Sequence, residues 1–319
     1  MTRNLRLTTA LAAVALAACV DTQAPESPAA PSTDNKTSLP AVETMRVTTA
    51  VANASAGFQI TLRYVNTPTA AQRAFFDAAA ARWQGIITGD VPNTTGTIKA
   101  RSCGKGFDTP SFRGEIDDVM IDVLLQPIDG PGAILGAAGP CLARNADLLT
   151  LYGIMFFDTA DLDAIAAAGV LDEVIVHEMG HVLGFGTLWN FGRQLLQGTN
   201  ADPRFVGPAA IAGYLDVGGR GSSVPVEEDF GPGTRLSHWD EETFDEELMT
   251  GFISLKGDSP LSVMTIGSMQ DLGYVVSTAT ADRYQVSGRQ ERVAGDDTGA
   301  QELNIGQREK LIQPSGIVF

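Results

Sequence analysis

Apolar positions recur along the middle of the chain with two different periods, and the changes of period mark out its elements. In "FQITLRYV", Phe58 to Val65, apolar and polar residues alternate, as in a strand with one buried face. "TAAQRAFFDAAAARWQGII", Thr69 to Ile87, changes to helical spacing, with Phe75, Ala79 and Trp83 on one face. "IDDVMIDVLLQPID", Ile116 to Asp129, is a second strand signal, closed by the turn chemistry of "DGPG". The Gly-broken apolar run "AILGAAGPCL" and the strongly apolar strand "LLTLYGIMFFD" follow. Leu171, Val174, Ile175, Met179, Val182 and Leu183 then return to spacings of three and four, which predicts a helix. This order predicts an α/β or α+β lobe, of which we adopt α+β with a mixed sheet and two helices, the second packed beneath the sheet.

Neither end of the chain shows such a period. Arg3 and Arg6 precede the uncharged "LTTALAAVALAA", too short to span a bilayer, so residues 1–18 read as an export signal. The tetrad Leu16, Ala17, Ala18, Cys19 resembles the lipobox of bacterial lipoproteins, which implies a lipid on Cys19. Residues 19–57, rich in Pro, Ala, Ser and Thr, read as a flexible tether, and the polar residues 281–319 as a loosely held tail. Between them, residues 58–280 can bury the core of one domain.

With 38 acidic against 22 basic residues the formal charge is −16, which argues against a nucleic-acid partner and against electrostatic docking on anionic lipid. Membrane contact then falls to the N-terminal lipid. The expectation is an exported, lipid-anchored monomer of the cell envelope, at the bacterial outer membrane or cell surface. Besides Cys19 only Cys103 and Cys141 remain, an even pair in an exported chain, so one disulfide is expected. A zinc role for that pair is the weaker alternative, since it lacks C-x-x-C spacing. Asp158, Asp161 and Asp163 read as turn and helix-cap residues, because they lack the glycine and terminal glutamate of a calcium loop.

The candidate chemistry lies in "VIVHEMGHVLGFGTLWN". His177 and His181, at i and i+4, project from one side of the predicted helix, on a stripe away from its apolar face, and can reach one ion. Glu178 stands between them, where a carboxylate can take a proton from an activated water. Gly184 follows where the helix must turn. A catalytic zinc site takes three protein ligands, and the chain has three histidines in all, so His238 is the expected third. The rival third ligand is an acid, from Asp240, Glu241 or Glu242.

"HEMGHVLGF" resembles the metzincin clan of zinc peptidases, whose motif continues H-E-x-x-H-x-x-G-x-x-H. This chain departs from it at Thr187, where the clan places its third histidine. The leishmanolysin-like members differ in the same way, with an insertion between glycine and histidine. Here that insertion would be residues 185–237, followed by "HWDEETFDEELMTG". The resemblance implies an N-terminal lobe to about residue 184 and a C-terminal lobe, residues 238–280, holding His238 and a Met-turn at Met249. It also implies one zinc ion per chain, Glu178 as general base, and an endopeptidase of peptide or protein substrates. Substrate would lie along an edge strand, for which Ala133 to Leu142 is the candidate. A second hypothesis is a surface lipoprotein that keeps the fold as a binding module with little catalysis. No tyrosine follows Met249 closely, and the tether holds no histidine and no cysteine beyond Cys19 to serve as an inhibitory segment.

Overall fold

The computed structural model describes residues 48–49, 57–256, 258–286 and 302–318. The expected export signal, Cys19 and most of the tether lie outside the described residues. The described chain runs through β1 (Thr48–Thr49), β2 (Ile60–Tyr64), α1 (Ala70–Ile86), β3 (Thr94–Ile98), β4 (Phe112–Ile116), β5 (Val119–Gln126), β6 (Gly136–Arg144) and β7 (Thr150–Asp158). Helices α2 (Thr159–Ala168) and α3 (Leu171–Leu183) follow. Next come β8 (Leu196–Thr199), β9 (Asp202–Phe205), α4 (Pro208–Asp216) and β10 (Val224–Pro225). After them lie α5 (Glu241–Phe244), β11 (Phe252–Ser254) and α6 (Val263–Leu272). The chain ends in β12 (Glu302–Asn304), β13 (Glu309–Leu311) and β14 (Gly316–Val318).

The sequence pattern and the elements agree in most places. Thr69 begins α1 with a reciprocal cap: its hydroxyl accepts from Gln72 N at 3.2 Å, and the Gln72 side chain accepts from Thr69 N at 2.9 Å. The main sheet has the spatial order β2, β5, β7, β6, β13, with β14 also paired to β6. Strands β2, β5 and β7 are parallel, and β6 joins β7 antiparallel. Strands β5 and β7 are mostly apolar and buried along almost their whole length, because both faces of the sheet are covered. Val119, Ile121, Val123 and Leu125 of β5 join the core shared with α1 and α3, while Met120 and Leu124 point into a second core with Ile98 and Ile116. The run "AILGAAGPCL" is a full strand, β6, despite its glycines. Trp83 is a core residue, as its helical position suggests, and its indole N–H donates to the Val176 carbonyl at 2.9 Å, fixing α1 against α3.

Two expectations are corrected. The histidine stripe of α3 is as buried as its apolar stripe, since His177, Glu178 and His181 are all 0 % exposed. The last residues are not uniformly loose. Residues 302–318 return to the body of the protein, where β12 pairs with β11 and both β13 and β14 pair with β6. Two of the three acids considered for calcium have structural uses: Asp158 caps α2 through Ala160 N at 2.8 Å, and Asp161 accepts from Gly132 N at 2.7 Å.

Cys103 and Cys141 are joined, which ties the loop after β3 to the middle of β6 across 38 residues of sequence. Closing a loop of that length removes denatured-state entropy worth about 2–4 kcal/mol. The double variant Cys103→Ser/Cys141→Ser is therefore expected to unfold at a clearly lower urea concentration than the parent. Equal midpoints for the two proteins would contradict this.

Candidate metal centre

The site begins with the end of α3. His177 and His181 are one turn apart and share a face. Gly184, at φ 120°, takes a backbone conformation that a residue with a side chain rarely adopts, and it ends the helix there. The turn aims the Phe185 carbonyl back at the helix, where it accepts from His181 Nδ1 at 2.9 Å. Thr187, the departure from the metzincin motif, has a role of its own: its hydroxyl donates to the His181 carbonyl at 2.7 Å, satisfying a helix-terminal acceptor.

His238 arrives from a distant segment, 57 residues after His181. Its backbone is held between Glu227, whose N–H donates to the His238 carbonyl at 3.0 Å, and the bond from Trp239 N to the Met249 carbonyl at 3.0 Å. Met249 is fully buried, its sulfur and methyl packed against Gly180 of α3. The turn carrying it is fixed by the buried Glu247 carboxylate, which accepts from Met249 N at 2.7 Å and from Ser262 Oγ at 2.6 Å at the start of α6.

The three imidazoles converge through Nε2, with mutual distances of 2.9, 3.0 and 3.1 Å. Each Nδ1 donates instead to a backbone carbonyl: His177 to Leu248 at 2.7 Å, His181 to Phe185 at 2.9 Å and His238 to Thr234 at 2.9 Å. That fixes the tautomer and leaves three lone pairs aimed at one point. Burial lowers the pKa of His177 and lowers that of His181 strongly, which keeps both rings neutral. Glu309 of β13 completes the cluster, with one carboxylate oxygen 2.9 Å from His238 Nε2 and the other 3.8 Å from His177 Nε2. Burial acts to raise the Glu309 carboxyl, and only positive charge at the cluster of His238, His181 and His177 outweighs it and holds the group well below the usual carboxylate range.

Three lone pairs and a carboxylate therefore face one another with no proton donor among them. Only a cation relieves that arrangement, and His177, His181, His238 and Glu309 form a group able to hold a metal ion. The donor set suits zinc, whose bonds to nitrogen of about 2.0–2.1 Å would place neighbouring ligand atoms about 3.3 Å apart, close to what the imidazoles already show. Glu178 lies beside the cluster, fully buried, and neither of its oxygens has a hydrogen-bond partner. Burial, reinforced by the Glu309 charge, pushes its carboxyl well above the usual range.

The rival acids are not part of the histidine cluster: Asp240 caps α5 by accepting from Thr243 N at 3.0 Å, and the Glu241 carboxyl gathers with Asp245 and Glu302. The residue that sequence reasoning missed is Glu309, one of 38 acids and part of no motif. The available signal was the recurrence of apolar residues, Ile305, Leu311, Ile312, Ile317 and Val318, after a polar stretch. No family model matches this chain, and no curated protein matches its sequence.

Proposed function

We propose that the protein is a zinc-dependent endopeptidase with a metzincin-like fold. The observation that carries this reading is a buried carboxylate without a partner, Glu178, set beside three histidines with their Nε2 lone pairs turned inward. His177, His181 and His238 would hold the ion, which would supply Lewis acidity towards a water and a scissile carbonyl. Glu178 takes the proton of the attacking water and returns it to the leaving amine nitrogen. The backbone carbonyls that bind each Nδ1 keep the rings oriented, and Met249 packs against Gly180 without ligating. Strand β6, once freed of β13 and β14, would offer a peptide an edge for main-chain pairing, which favours extended substrates cut internally over release of single terminal residues.

One observation favours a second reading. Glu309 brings the donors to four, and a site closed by four side chains is the usual pattern of structural zinc. In that case the fold serves as a binding module. The two readings separate in one experiment, metal analysis of the purified protein combined with digestion of a broad peptide library. A peptidase gives about one zinc per chain and internal cuts abolished by a chelator. Zinc with no cleavage, in a preparation whose tail has been displaced as described below, would leave the structural reading.

A further inference from the structure

The segment 302–318 pairs with two separate strands, β11 and β6, and carries Glu309 into the histidine cluster. On the Met249 side, β12 pairs antiparallel with β11, and Ile305 N and Gly306 N both donate to the Gly251 carbonyl, at 3.1 and 3.0 Å. Ile305 is buried there as an anchor. On the opposite side the segment lies along β6. Leu135 N donates to the Arg308 carbonyl at 2.7 Å, Ile312 N to Ala138 at 2.8 Å and Ser315 N to Cys141 at 2.9 Å. Arg308 spans back to Asp161 at 2.7 Å and to the Ala133 carbonyl at 3.0 Å. Gly139 makes the approach possible, since a Cβ there would lie 2.2 Å from the Ile312 carbonyl oxygen. Glu309, the first residue of β13 and paired with Gly136 of β6, points at the three histidines.

On the peptidase reading, this is the place where an extended substrate would pair with β6 and where water would need access to the ion. Both are taken. The His177, His181, His238 and Glu178 side chains are all 0 % exposed with the segment in position. We infer that residues 302–318 are a built-in occupant of the peptide cleft, with Glu309 closing the open metal position, so that the full-length chain is latent until this segment is displaced. Because the occupant is tethered, its effective concentration is on the order of millimolar, and a weakly binding sequence suffices to exclude free peptides. The inference rests on the peptidase reading for what is being restrained, but the occupancy of the cleft can be tested without it.

The test uses the full-length chain in three forms: parent, Glu309→Gln and Arg308→Ala. Zinc content, binding of a fluorescently labelled peptide with the sequence of residues 302–318, and cleavage of an internally quenched peptide are measured on each. Both variants are expected to keep about one zinc per chain and to bind the labelled peptide at least roughly 10-fold more tightly than the parent, with faster cleavage. Arg308→Ala leaves all four candidate donors in place, so it decides the matter where Glu309→Gln folds poorly. Equal peptide binding by the parent and the folded variants would overturn the inference. Loss of zinc from folded Glu309→Gln would also overturn it, by making Glu309 a structural ligand. Tighter peptide binding with no cleavage in any form would uphold the tail as occupant and sink the peptidase reading instead.

Discussion

Glu178→Ala is expected to retain about one zinc per chain while peptide cleavage falls by roughly 10²-fold or more, the usual contribution of a general base. The expectation follows from the position of the carboxylate. It stands beside the donor cluster and outside it, and both of its oxygens are buried without a hydrogen-bond partner. Removing an unpartnered buried carboxylate relieves a desolvation cost, so the variant should unfold no more easily than the parent. The comparison is cleanest with Arg308→Ala in both proteins, so that the tail is loosened equally. Unchanged cleavage at full zinc occupancy would overturn the assigned chemistry. A loss of zinc in parallel with activity would move Glu178 into the ligand set.

His238→Ala should behave in the opposite way, with metal lost first. An outer partner of a metal ligand is worth roughly 10- to 100-fold in affinity, and a ligand itself more, so zinc retention after dialysis against a mild chelator should fall well beyond that range. Glu309 complicates the single variant, because one of its oxygens is 2.9 Å from His238 Nε2 and can remain as a third donor. The double variant His238→Ala/Glu309→Gln is therefore expected to hold less zinc than either single one. Full occupancy in the double variant would mean that the ion sits elsewhere.

The parts of this site that could be read from sequence were those carried by short-range periodicity or by scarcity. The spacing of Leu171 to Leu183 announced α3, and the i, i+4 pair on it placed two ligands, because one helical turn is a geometric constraint. His238 was reachable since only three histidines exist in the chain. Thr187 was read only as a missing ligand, and its bond to the His181 carbonyl depends on how the chain turns after Gly184, which no pattern states. The burial of the histidine stripe was missed for a related reason. A helix surface looks solvent-facing in sequence whenever the groups covering it come from far away, and here part of the cover is Glu309. Strand β6 illustrates the same limit: its glycines suggested a broken run, yet they admit close neighbours, the Ile312 carbonyl at Gly139 among them.

The distance along the chain between the cleft and its occupant has a consequence for biogenesis. Arg308 and its partner Ala133 are 175 residues apart, and the segment that covers the histidines follows all three of them in sequence. Domains form from the N-terminal end as synthesis proceeds at about 5–20 residues per second. All three histidines, the sheet and Glu178 are thus available on the order of seconds before Glu309 emerges. During that interval the metal can enter an open pocket, and the nascent polypeptide carries an uncovered strand edge at β6. A chain cut short before β12 would remain in that state permanently.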